Sequence, residues 1–231
     1  ELAQFAYVVS HDLQEPLRSV AGYTKLLARR LEGSLEVEHL ELMEGVLGGV
    51  ERMRAFILAL LEYSRLGRRD IEETEVSLSE ILNDARLNLA IAIEDHDATV
   101  DAPAELPSVA GDPVLLTQLF QNLIGNALKF RREEEAPRIS IAVEERGERW
   151  VVSVTDNGIG IPEAQRERVF ELFQRLHRPD EVPGTGLGLA ICQKVVWRHG
   201  GEIWIDSPEA SPGTVFLFTL PSWPKDGGGT S

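Results

Sequence analysis

The sequence is poor in cysteine: Cys192 is the only one in 231 residues. An intrachain disulfide is therefore excluded, and a reducing compartment, the cytoplasm, is expected. Long apolar runs are lacking too. None approaches the roughly 18 residues that a membrane-spanning helix needs, and no secretory leader pattern opens the chain. Basic residues are scarce, 23 against 38 acids, for a net charge of -15. A surface of that sign repels nucleic acid and anionic lipid, so neither is expected as a partner. A nucleotide ligand would need local basic groups. No histidine–carboxylate spacing marks a structural zinc. Otherwise the composition is ordinary for a globular protein, at 43% hydrophobic and 26% charged, with length for one large domain or two small ones.

What is present begins with helical periodicity. Leu2, Phe5, Val9, Leu13, Leu17, Val20, Leu27 and Leu31 recur at spacings of three, four or seven, an amphipathic stripe. "EGS" at 32–34 breaks it. Leu40, Met43, Leu47, Val50, Met53, Ile57 and Leu60 form a second stripe, ending near Leu66 at "GRRD". Two long helices joined by a short turn make a hairpin that cannot bury its stripe alone. Pairing of two chains into a dimeric four-helix bundle is the natural remedy. Within the second helix, "EGVLGGV" places Gly45, Gly48 and Gly49 where each weakens it, for close packing or for bending. Glu1 already lies inside the first pattern with no cap before it, so a preceding segment is expected.

The domains expected are a helical hairpin over 1–67, a polar linker over 68–75, an α+β sandwich over 76–223 and a flexible tail over 224–231. "VSLSEILNDARLNLAIAIED" reads as a short strand and a helix capped by Ser77 or Ser79. "ATVDA" is a strand. Asp112 caps a helix that has Pro113 at its first position. "RISIAVEERGERWVVSVTD" is a hairpin around "RGER". "EIWIDS" and "GTVFLFTL" are further strands. Helices on one face of a mixed sheet follow.

Three stretches carry chemistry. In "QNLIGNALKF", Asn122, Asn126 and Lys129 share one helix face, with Leu119, Leu123 and Leu128 on the other. Asparagine is mildly unfavourable inside a helix, so a second one asks for a reason. In "VTDNGIGIP", a strand ends at Asp156. Gly158 and Gly160 let the backbone approach a flat ligand, and the carboxylate can accept from an exocyclic amine. In "PGTGLGLAI", Gly184, Gly186, Leu187 and Gly188 precede a helix whose amides suit phosphate. The P-loop lysine is absent, and the spacing is not the dinucleotide one.

Together and in this order, the stretches resemble the ATP-binding domain of the sensor histidine kinases. That domain belongs to the Bergerat-fold group, with gyrase, mismatch-repair and chaperone ATPases. "QNLIGNALKF" resembles the N box, "DNGIGIP" the G1 box, "VFELFQRLH" the F box, "GTGLGLAI" the G2 box and "SHDLQEPL" the H box. The resemblance covers about residues 1 to 221, and the forms "HDLQEPL" and "FQRLH" are most similar to the phytochrome-linked type. It implies a kinase that uses ATP and Mg²⁺. Asp156 would accept from the adenine amine beside Gly160, and Asn126 would coordinate Mg²⁺. Asn122 stands where related ATPases carry a water-activating glutamate, and an amide is no general base. Lys129 and Arg175 would face the phosphates. Phe170 and Phe173 would anchor a lid from about Ile161 to Gly184, whose end folds over the phosphates at Gly186 and Gly188.

The same resemblance makes His11 the phospho-acceptor. Neutral imidazole is a good nucleophile near pH 7. Asp12 would orient the ring or take its proton, and Pro16 would bend the helix just beyond. Glu15 replaces the Thr or Asn of many members. An ionised carboxylate beside a phosphoryl group is unfavourable, which speaks against a reverse phosphatase reaction. The implied partners are a second copy of the chain, a response-regulator receiver domain docking around Leu17 to Leu27, and an upstream sensor. Two rivals are a non-kinase ATPase of the same group, and a weakly active dimerisation and phosphatase module. Among the other histidines, His39 and His96 read as surface groups. His177 lies in the lid, and His199, before Gly200–Gly201, reads as a partial cation at a helix end.

Overall fold

The computed structural model describes residues 2–31, 36–66, 74–176, 184–208 and 212–224, with side chains from Leu13 onward. The chain divides into two compact units, one built on the helical hairpin together with 183–187, the other on the remainder.

In the first unit α1 (Leu2–Arg30) packs along α2 (Val37–Arg65). Helix α1 runs on through Pro16, which has no N–H to donate to the Asp12 carbonyl. Val50 and Ile57 are buried, but Leu13, Val20, Leu27, Leu40 and Met53 of the two stripes stay exposed. One hairpin therefore covers only part of its apolar surface. Among the described residues, little approaches the second-helix glycines. A Cβ on Gly45 meets open space, and on Gly48 or Gly49 it meets only the guanidinium tip of Arg52.

The second unit opens with β1 (Thr74–Ser77), so Thr74 and Glu75 belong to a strand rather than to the expected linker; 67–73 lie outside the described residues. Ser77 caps α3 (Leu78–Asn88), its hydroxyl accepting from the Glu80 amide. Leu89 separates α3 from α4 (Ala90–Asp95), a break that the periodicity did not reveal. Then come β2 (Thr99–Asp101), β3 (Ser108–Gly111) and α5 (Pro113–Lys129). The Asp112 carboxylate caps α5 by accepting from the amides of Val114 and Leu115. After α5 the chain forms β4 (Arg138–Arg146), β5 (Arg149–Asp156), α6 (Gly188–Arg198), β6 (Ile203–Asp206) and β7 (Thr214–Pro221).

Five strands lie in the order β2-β4-β5-β7-β6, while β1 and β3 form a second, two-stranded sheet. Only β2 with β4 is parallel; the other pairings are antiparallel. Helices α3, α5 and α6 pack together over a core in which Phe120 of α5 meets Phe218 of β7 edge-on at 5.8 Å. The expected arrangement of helices against a mixed sheet is present. The small sheet was not expected: "SVAG" is too short to show alternation.

His199 corrects an expectation. It is buried, and its Nε2 lies 3.0 Å from the Asp112 amide nitrogen. A backbone N–H can only donate, so Nε2 carries no proton. Nδ1 then carries it and donates to the Val195 carbonyl at 2.8 Å. The ring is neutral rather than a partial cation, and it ties the end of α6 to the start of α5.

Candidate nucleotide-binding site

Strand β5 is central, with Asp156 paired to Ile139 of β4 and to Thr214 of β7. Asp156 is 9% exposed. Oδ1 accepts from the Gly158 amide at 2.8 Å and the Thr214 amide at 3.2 Å. Burial pushes the Asp156 carboxyl above the usual range, against the pull of these donors and the Thr214 hydroxyl. Gly213 makes the arrangement possible: a Cβ there would collide with the Asp156 carbonyl oxygen. Gly213 and Thr214 were missed as site residues. The signal was the Gly-Thr pair opening the last strand, which reads in isolation only as a strand start.

The glycines after Asp156 are required by contact. A Cβ on Gly158 would lie 2.5 Å from the Phe130 carbonyl oxygen and 2.8 Å from Asp156 Oδ1. Gly160 has φ +78° and faces the Gly213 carbonyl. The Ile159 amide donates to the Phe130 carbonyl at 3.0 Å, so the turn after β5 is fixed to the end of α5.

Helix α5 buries Leu119, Leu123 and Leu128 while Asn122 and Asn126 stay half-buried. Lys129, in its last turn, holds its ammonium 4.7 Å from the Phe130 ring centre. Burial first, and the Arg175 guanidinium second, lower the Lys129 pKa. The Arg175 charge thus bears on Lys129, and the two cations repel each other. A Cβ on Gly188, the first residue of α6, would come within 3.4 Å of Asn122 Oδ1.

The segment after Ile161 makes short helical turns at Glu163–Gln165 and Arg168–Phe170. Phe170 is 7% exposed. Phe173 is 47% exposed with φ +67°. Val169, beside Phe170, is buried as well. His177 lies outside the described residues. Gly184, Gly186 and Leu187 belong to the hairpin unit. There Gly186 has φ +71°, and the amide of the buried Leu187 donates to Thr185 Oγ1 at 3.3 Å. His11 and Asp12 lie on α1, and their side chains are outside the described residues.

Residues 111–224 match the family model described as histidine kinase-, DNA gyrase B- and HSP90-like ATPase. Residues 1–69 match the His Kinase A phospho-acceptor domain. The mycobacterial sensor histidine kinase MprB is 30% identical, with a TM-score of 0.56 over 64% of this chain and 97% of that one. The chain belongs to the sensor histidine kinases. Among curated relatives, cyanobacterial phytochrome A of Nostoc is 43% identical over 96% of the chain. The chain spans only 28% of that relative's length. It also resembles ThkA, solved in complex with the response regulator TrrA. That likeness has 25% identity and a TM-score of 0.65 over 94% of this chain and 62% of that one. Among the described residues, no helix is long and apolar enough to cross a membrane.

Proposed function

We propose that the chain is the catalytic core of a sensor kinase that phosphorylates its own His11 from ATP and passes the phosphoryl group to an aspartate of a receiver domain. The observation that carries this reading is the pairing of a buried carboxylate, Asp156, with two mutually repelling cations, Lys129 and Arg175, in one unit. That combination suits a ligand with an amine at one end and several negative charges at the other. Asp156 Oδ1 is engaged by backbone amides, which orients the carboxylate to receive the adenine amine. Lys129 and Arg175 would hold the phosphates, and their repulsion falls when an anion lies between them.

Asn122 and Asn126 present amide oxygens on one face of α5, the hard donors that Mg²⁺ accepts alongside phosphate oxygens. Among the described residues no three of His, Cys, Asp and Glu converge on a metal, so the amides and the nucleotide would share the ion. Bound there, Mg²⁺ would neutralise charge on the phosphates as the γ-phosphoryl leaves. Asn122 cannot activate water, which preserves the γ-phosphoryl for an imidazole. Half-exposed Leu13, Val20 and Leu27 support a second copy against the hairpin. The ThkA complex with TrrA supports a receiver domain as partner.

The test is incubation of the full chain with γ-labelled ATP and Mg²⁺. A label that acid removes and base spares is phosphohistidine and supports the reading. Phosphate release without protein label would mark an ATPase. Protein that takes up no label, but strips it from a phosphorylated receiver, would mark a phosphatase module.

A further inference from the structure

Asn157 follows the adenine aspartate, and the reading above gives it nothing to do. Its side chain nevertheless makes three hydrogen bonds. Oδ1 accepts from the Arg138 amide at 2.8 Å. Nδ2 donates to the Ala136 carbonyl at 3.1 Å and to Glu135 Oε2 at 3.4 Å. The side-chain amide thus brackets Pro137, which lacks an N–H and whose carbonyl accepts from Thr99 of β2. In effect Asn157 extends the β4–β5 ladder by one step, beyond the last pair, Ile139 with Asp156. The other oxygen of Glu135 holds Arg132 at 2.8 Å.

These bonds close the far end of the loop over 131–137. Its near end is closed at the Phe130 carbonyl, which accepts from Ile159 and leaves no room for a Cβ on Gly158. Lys129 and Phe130 sit at the mouth of that loop, in cation–π contact. One turn, Asp156–Ile159, therefore carries the adenine acceptor and also grips both ends of the loop that begins beside the phosphate lysine.

From this geometry we infer that Asn157 is a positioning residue, setting the spacing between the adenine end of the site at Asp156 and the phosphate end at Lys129. The inference rests on the nucleotide reading above. It predicts a selective defect. Removing the bracket frees the loop and the lysine end, while Asp156 keeps its bonds to Gly158 and Thr214. Affinity for the phosphates falls and affinity for the base does not.

The test is calorimetric titration of the wild-type chain, Asn157→Ala and Asn157→Asp with two probes, magnesium–AMPPNP and adenosine. The wild type is expected to bind magnesium–AMPPNP far more tightly. In Asn157→Ala that preference should shrink about fivefold or more, the scale of one or two lost hydrogen bonds, with adenosine binding unchanged. Asn157→Asp keeps the acceptor for Arg138 and loses the donor, so it should lie between. Equal weakening toward both probes would mean a general structural role and would overturn the inference, as would an unchanged preference. If Asn157→Ala fails to fold, Asn157→Asp decides by the same criterion. A wild-type chain that binds both probes alike would sink the nucleotide reading itself. A wild-type preference that both variants retain would sink only the role of Asn157.

Discussion

At the scale of single residues, Asp156 in the proposed site would trade stability for recognition. A carboxyl whose pKa rises on folding holds its proton more tightly in the native state. Its stabilising contribution is therefore present at low pH and is lost as pH climbs from the ordinary value near 3.8 through the raised one. At neutral pH the buried charge is a cost. Asp156→Asn keeps an oxygen for the Gly158 and Thr214 amides, removes that cost, and turns an N–H₂ toward the adenine amine. The variant should melt no lower than the wild type at pH 7 and bind no ATP, as calorimetry on one preparation can check. Wild-type affinity for ATP should fall with acid above the usual carboxylate range.

The alkaline side belongs to Lys129, which loses its proton below the ordinary value of 10.5. Arg175→Ala should move the alkaline limb of ATP affinity upward while weakening binding overall. The movement should be partial, because burial is the larger cause. Measured dissociation constants between pH 7 and about 11 decide it; a limb that stays in place contradicts the pairing. Much of this residue set was legible. Two asparagines and a lysine on one face, and an aspartate followed by spaced glycines, are visible in the string. The grip of Gly213 and Thr214 on Asp156 was not. It joins residues that are far apart in sequence and meet only because β5 pairs with β7.

At the scale of elements, α5 and α6 are held to each other by His199. His199→Ala leaves the part-buried Asp112 amide without this partner, a loss of about 1 kcal/mol, measurable by urea unfolding. No sequence signal announced this. The helix-end position suggested a cation, whereas burial against the start of α5 selects a neutral acceptor. The helices themselves were legible because their stripes are long. The strand β3 and the break at Leu89 were not, since four residues carry no period and one residue suffices to interrupt a helix. In α2, alanine at Gly48 and Gly49 meets only the Arg52 tip among the described residues. The double variant should therefore gain roughly 2 kcal/mol of helix stability. If the glycines serve bending, it should also phosphorylate more slowly. Melting temperature and initial rate of label uptake are the readouts. A lower melting temperature would mean that a second chain packs closely there, and the bending role would be dropped.

At the scale of the whole molecule, the division into a helical hairpin and a nucleotide-binding unit was legible from the switch between helical and mixed patterning near residue 70. With a net charge of -15, binding of a polyanion would rest on local cations such as Lys129 and Arg175, which repel each other. The central claim joins the two units by chemistry: a nucleotide held by the second reacts at His11 of the first. The most direct measurement is the site and amount of label after incubation with γ-labelled ATP and Mg²⁺, compared between the wild type and His11→Gln. The account predicts label mapped to His11 in the wild type. In the variant it predicts no label, with ATP affinity unchanged by calorimetry. Label retained by His11→Gln, or mapped to a serine, threonine or another histidine, would contradict it.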